Sequence, residues 1–437
     1  MMPAAAGTDV RLLEDDELTR LQDVSFAYFW HEANHANGLI ADRTEPCQVC
    51  STAAVGLALT AYPVAVERGL IEREAAIERT LTTLRFFANS PQGSAANTTG
   101  YQGLYYHFLD MDSGRRAHDC ELSTIDSALL FAGMLTAAAY YHHETAPEAE
   151  IRELATVLYR RANWQWALNG GATISHGWKP ESGFLEYRWQ GYCEALLLYA
   201  LALGSTTFPI PSESYQAWAS TYQWRRAYEH EYLYAGPLFI HQLSHVWIDF
   251  RGIQDEYMRA HDLDYFENSR RATYVQQAYA MRNPKQFRDY GRWSWGLTAS
   301  DGPGETTEVV NGVERTFLGY AARGVPDGPD DGTLAPWAVA ASLPFAPEIV
   351  LPTLAHFVDL DLTAANPYGF KATYNPTFPF GRQRPHGWVS PTHYGLNQGP
   401  IALMIENFRT GLIWRLLRTC EPVVGGLRRA GFRGGWL

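Results

Sequence analysis

The chain has 437 residues, 46% of them hydrophobic and 19% charged, and its 35 basic and 47 acidic side chains leave a net charge of −12. That balance argues against nucleic acid or an anionic membrane surface as the main partner, and no apolar run is long enough for a membrane span. The aromatic content, 14% with 14 Trp and 25 Tyr, exceeds what a core requires and suits stacking on flat, partly apolar ligands such as sugar rings.

In chain order, residues 1–14 read as an N-terminal tail. They lack the basic segment and apolar core of a secretory signal, so the chain as written is expected in the cytoplasm, or in the periplasm or outside the cell if a signal was removed. Cys47 and Cys50 form a lone CxxC among five cysteines, too few for a disulfide framework and without the second pair of a zinc ribbon. Residues 51–66 are apolar all round, whereas 73–88 are amphipathic, with Ile77, Leu81, Leu84 and Ala88 on one stripe. The same alternation follows at 123–141 (apolar) and 148–164, where Ile151, Leu154, Ala155 and Leu158 form the stripe. Residues 191–204 and 399–417 complete the apolar set.

Apolar helices alternating with amphipathic ones are what an inner ring wrapped by an outer ring produces. The expected fold is therefore all-α, an (α/α)6 toroid of about a dozen helices. Long loops rich in Gly, Pro and aromatics (97–116, 169–189, 291–304 and 366–388) would gather at one mouth. One catalytic domain is expected over 15–420, followed by a C-terminal tail, 421–437, whose basic, Gly-rich end reads as solvated.

Within this pattern Glu194 stands out, because GYCEALLLYALALGS (191–205) carries no other charge. An isolated carboxylate inside an apolar helix needs a partner or a cavity. Asp126 holds a similar place in ELSTIDSALLFAG, with Glu121 just ahead of it. Each acid taken singly is also accounted for by the helix dipole, and Ser123-x-x-Asp126 has the spacing of a capping box. Two carboxylates facing each other across an aromatic-lined mouth are what glycoside hydrolysis needs, one as a protonated acid and the other as base or nucleophile. His241 and His245 have i, i+4 spacing without an HExxH glutamate, so they are expected to hydrogen-bond rather than bind metal. The glycines of 291–304 do not form a phosphate loop, and there is no G-x-S-x-G elbow. Neither metal nor cofactor is expected.

Several segments together resemble the glucoamylase-like family, which includes the endo-β-1,2-glucanases of glycoside hydrolase family 144 and the transglycosylase domain of cyclic β-1,2-glucan synthases. They are FAYFWHEANHANGLIADR (26–43), ELSTIDSALLFAGML (121–135), WQGYCEALLLYALALGS (189–205), YAGPLFIHQLSHVWIDFRGIQDEY (234–257), NPKQFRDYGRWSWGLTASDGPG (283–304) and LNQGPIALMIENFRTGLIW (396–414). The resemblance implies the same toroid and a β-1,2-glucan or glucooligosaccharide substrate. It puts Glu194 on the family's catalytic glutamate and Asp126 on a second acid that is usually Glu. Where the family has a DQGP motif with a base, this chain has Asn397-Gln398-Gly399-Pro400, and an amide cannot accept that proton. The opposing carboxylate is then Glu121, Asp126 or Asp301, in an inverting or a retaining reaction.

Tyr187, Trp293, Trp295 and Trp388 are expected to stack on substrate. Asp42, Arg43, Asp301, Asn397 and Gln398 are expected to contact it. The rival readings are a retaining transglycosylase, a binding protein without turnover, and a lyase; the acidic balance disfavours the lyase. Oligomeric state is not legible.

Overall fold

The computed structural model describes residues 11–44, 48–363, 366–379 and 386–437. Cys47 and residues 1–10 of the N-terminal tail lie outside them. The described chain is predominantly helical, with fifteen α-helices joined by loops that carry short strands.

The apolar segments form helices buried on nearly every side. Ser51 caps Thr52–Glu67 by accepting from the Ala54 N–H (3.4 Å), and Thr52 to Ala65 are all buried. Ser123 caps Thr124–Tyr140 by accepting from the Asp126 N–H at 3.2 Å. These two helices meet backbone to backbone. A Cβ on Gly56 would lie 2.2 Å from the Leu129 carbonyl oxygen, and one on Gly133 would lie 2.1 Å from that of Gly56. Only glycine permits that approach.

From there a circuit of neighbours can be followed. Thr124–Tyr140 packs on Leu196–Gly204. Leu197 N–H then donates to Ser244 Oγ (3.0 Å), within the paired 3-10 turns Leu238–His241 and Leu243–Val246. Gln242 Nε2 donates to the Ala338 carbonyl (2.5 Å) and to Ser342 Oγ (2.7 Å). Ala338 lies in Pro336–Ala341, which packs on Gly395–Arg409, and that helix returns to Thr52–Glu67. Amphipathic helices cover the outside. Arg73–Asn89 buries Leu81 and Leu84, and Ala146–Arg161 buries Ile151, Ala155 and Leu158, on the stripes expected from the sequence.

Three expectations need correction. The chain is not all-α, because the loops at 97–116 and 169–189 contribute strands to a five-stranded sheet. In spatial order these are Gly100–Tyr101, Leu104–Tyr106, Leu122–Ser123, Gly177–Lys179 and Gly183–Phe184. The strands are so short that no alternating pattern precedes them. His241 and His245, spaced i, i+4 as on a helix, lie in a pair of 3-10 turns rather than an α-helix.

The C-terminal segment is a packed element and not a solvated tail. Glu421–Arg429 is helical and lies on Leu196–Gly204, so close that a Cβ on Gly426 would be 1.8 Å from the Ala200 carbonyl oxygen. Beyond it Phe432 is buried, and Trp436 Nε1 donates to the Asp249 carbonyl at 2.7 Å.

Replacing Gly133 with Ala forces a methyl group into the Gly56 backbone and is expected to cost about 1–3 kcal/mol or more, as core overpacking does. Urea unfolding checks this, with a lowered midpoint at unchanged slope as the expected result.

Candidate active site

The strand Leu122–Ser123 runs straight into Thr124–Tyr140, so Glu121 and Asp126 are set at one end of that helix by the loop sheet and the Ser123 cap. Ser123 Oγ also donates to the Asp126 carboxylate. Between the two acids stands His107, with Nδ1 3.0 Å from Glu121 Oε1, Nε2 3.8 Å from Asp126 Oδ1, and its ring stacked on Phe108 at 3.9 Å. Burial opposes a charge on this imidazole, but Asp126, the Glu121 hydrogen bond and Asp42 outweigh it and raise its pKa to about 9. His107 is thus a cation at neutral pH. Burial also works against the Glu121 carboxylate, and the His107 bond reverses this and holds its pKa low.

Glu194 is differently placed. It sits in the turn before Leu196–Gly204 rather than in the helix, and its carbonyl accepts from Ser244 Oγ at 3.0 Å. Among the described residues no ion pair holds its carboxylate. Burial pushes its pKa up to about 7, the Asp126 charge adds to the rise, and a bond from its own backbone N–H opposes it. At neutral pH, then, Glu194 holds its proton about half the time, whereas Glu121 beside His107 has lost it.

A third group closes the constellation. The Asp42 carbonyl accepts from Gly395 N–H (3.0 Å), and Arg43 pairs with Tyr394 in a β-bridge, so 42–43 is tied to the start of Gly395–Arg409. The Tyr394 hydroxyl donates to Asp301 Oδ2 and is hydrogen-bonded by Arg43. Burial raises Asp42 to about 6; Asp126 and Asp301 add to this, while His107 and Arg43 counter it. Asp42, Asp126, Asp301 and Glu194 therefore share one electrostatic neighbourhood.

The remaining expected site residues divide. Asn397 is buried in the first turn of Gly395–Arg409, with its N–H on the Tyr394 carbonyl. Tyr187 is 73% exposed beside His176. Trp293 is half-buried under Arg292, and Trp388 packs on a small cluster of Val310, Phe317 and Phe378.

Two expectations fail. Trp295 is fully buried with Nε1 donating to Thr353 Oγ1 (2.9 Å), so no face is open to a sugar. Gln398 is fully buried and donates to the Phe370 carbonyl (2.8 Å) as a core linker. His241 and His245 are core histidines, pushed down to about 4 and about 3 by burial and placed on the Ala235 carbonyl and Ser269 Oγ. His107 and Tyr394 were missed by the sequence reading. Both lie in aperiodic loop text, YYHFLD and HYGLNQ, where no pattern marks a functional side chain.

A circuit of neighbouring helices that brings together carboxyl groups with divided pKa values is a candidate acid–base site on a helical scaffold. The sequence pattern of the family described as "Putative glucoamylase" matches residues 186–421. A protein from Bacteroides uniformis, described in the same words, has a solved structure that superposes with a TM-score of 0.85 at 32% identity, covering 98% of this chain and 100% of that one. The chain belongs to this glucoamylase-like family. It is also similar to the endo-β-1,2-glucanase of Chitinophaga pinensis, solved with sophorotriose and glucose (TM-score 0.83, 26% identity, 97% of this chain and 99% of that one). Against an exo β-1,2-glucooligosaccharide sophorohydrolase of Parabacteroides distasonis it is 26% identical over 97% of its length, and it spans 59% of that relative.

Because the Glu194 carboxyl has a higher pKa folded than unfolded, the fold is most favoured by this group below the ordinary glutamate pKa, and that contribution is lost as pH rises toward about 7. Glu194→Gln is therefore expected to leave stability nearly unchanged at pH 4 and to raise it at pH 8 by on the order of 2–3 kcal/mol. Thermal melts of both proteins at the two pH values check this.

Proposed function

We propose that this chain is a glycoside hydrolase of β-1,2-linked glucooligosaccharides, built as a single (α/α)6 toroid that includes the 421–437 segment. Glu194 acts as the general acid. The observation that carries the reading is the unequal setting of the carboxyl groups: Glu194 is raised to about 7 by burial with no ion pair among the described residues, while His107 stands between Glu121 and Asp126, 3.0 Å from the one and 3.8 Å from the other. Glycosidases need this division, one carboxyl protonated for the leaving oxygen and another ionised for water or the anomeric carbon. The relatives supply the substrate class, since the Chitinophaga and Parabacteroides proteins act on β-1,2-glucans by name. The circuit of inner helices under an outer layer supports the toroid.

Asp126 is the foremost opposing carboxylate, because it is the acid whose charge reaches Glu194 while lying 3.8 Å from the His107 cation. Glu121 holds His107 in place from the other side, and Asp301, with Tyr394 on its Oδ2, is the alternative base. Asn397 cannot accept a proton. Asp42 and Arg43 contact sugar hydroxyls at the edge of the group, and Tyr187, Trp293 and Trp388 offer stacking faces.

Glu194→Gln is expected to lower kcat on β-1,2-glucooligosaccharides by about 10²–10⁴, the usual worth of a general acid. In the wild type kcat should fall as pH rises through about 7, where Glu194 loses its proton. Rate measurements from pH 5 to 9 check both, and a Gln variant with wild-type turnover refutes the assignment. Proton NMR of the first product gives the stereochemistry. Initial β-anomer means retention with carboxyl groups about 5 to 5.5 Å apart, and initial α-anomer means inversion.

A further inference from the structure

We propose that Tyr320 is a sugar-stacking platform at the mouth of the acid site, fixed there by the buried Arg323–Asp331 pair. The inference rests on the glycosidase reading. Tyr320 follows the hairpin of Thr306–Val310 and Val313–Phe317 and is 74% exposed. A single exposed aromatic is ordinary on a protein surface. Here the backbone beside the exposed ring is locked.

Arg323 is fully buried and gives Asp331 two hydrogen bonds, Nε to Oδ1 at 2.7 Å and Nη2 to Oδ2 at 2.8 Å. Its Nη2 also reaches the carbonyls of Leu318 (3.2 Å) and Gly319 (3.1 Å), and its Nη1 reaches that of Ser300 (2.7 Å). Asp331 completes the lock by accepting from Leu318 N–H at 2.8 Å. One guanidinium therefore joins the residues just before Tyr320 to the residue just before Asp301.

The strands on either side agree with this. Ala299 pairs with Ala322 and Ser300 with Ala321, so the register carried one step further sets Asp301 opposite Tyr320. Gly302 makes room for the lock, since a Cβ there would lie 2.2 Å from Arg323 Nη2. Asp301 is in turn bonded by the Tyr394 hydroxyl of the acid group, so Tyr320 lies beside that group; burial raises the phenol's pKa, and the Glu194 and Asp301 charges add to the rise. An exposed aromatic ring on a locked backbone beside the acid group matches the C–H face of a glucosyl unit. Rigidity lowers the ordering cost of binding there.

The test is calorimetric titration of β-1,2-glucooligosaccharides of increasing length into Glu194→Gln protein, with and without changes at Tyr320. Tyr320→Ala and Tyr320→Leu are expected to weaken binding about tenfold, and Tyr320→Phe to keep it within about threefold, all with an unchanged melting temperature. Equal affinity in the Ala and Leu variants overturns the platform and leaves the glycosidase reading standing. A Phe variant as weak as Ala assigns the effect to the hydroxyl and overturns stacking. No binding by the Glu194→Gln parent overturns both readings.

Discussion

The chemistry at the mouth depends on one electrostatic constraint: Glu194 is desolvated while the nearby cations are committed elsewhere. His107 is engaged by Glu121 and Asp126, and Arg43 by Tyr394 and Asp42. An acid buried without a counter-ion keeps its proton, and one buried against a cation loses it. Burial works against the charge on both Glu194 and Glu121, but only Glu121 has His107 beside it, and their pKa values move in opposite directions. Were His107 to lean toward Glu194 instead, the division would collapse.

The scaffold is what prevents that. Glu121 and Asp126 are separated by a strand of two residues and a serine cap, and His107 comes from the neighbouring chain of the same loop region, its N–H bonded to the Glu121 carbonyl at 3.0 Å. Glu194 is held in the turn before another helix, which the Ser244 hydroxyl ties to the 3-10 turns. The helices that carry the two sets of acids pack on each other, and each is closely backed by a neighbour through a glycine, Gly56 on Leu129 and Gly426 on Ala200.

Much of this was legible in the sequence because contrast of composition is a strong signal. Glu194 and Asp126 were found as charges inside segments that otherwise exclude charge, and the outer helices by their stripes. The misses have a common cause. His107 and Tyr394 do their work from loops, where neither periodicity nor contrast exists. The loop sheet is made of strands two or three residues long, below the length at which alternation can be read. Trp295 and Trp293 look alike in RWSW, and only packing decides that the first faces Thr353 in the core while the second is half-open. Residues 421–437 read as a tail from their basic, Gly-rich end, because the sequence does not show that Gly426 fits against Ala200 of the Leu196–Gly204 helix.

Asn397 gains its meaning from the same charge distribution. It occupies the first turn of Gly395–Arg409, beside Tyr394 and within reach of the segment that carries Asp42. Burial lifts Asp42 to about 6, and the Asp126 and Asp301 charges add to the rise. A further carboxylate at this position would add repulsion to a group in which Asp42 is countered by His107 and Arg43. It would raise neighbouring pKa values and blur the distinction between the acid and its opponents. A neutral amide there keeps the hydrogen-bonding capacity of the site and removes that repulsion. On the proposed glycosidase reading, the proton acceptor is then one of the carboxylates that His107 and Tyr394 support.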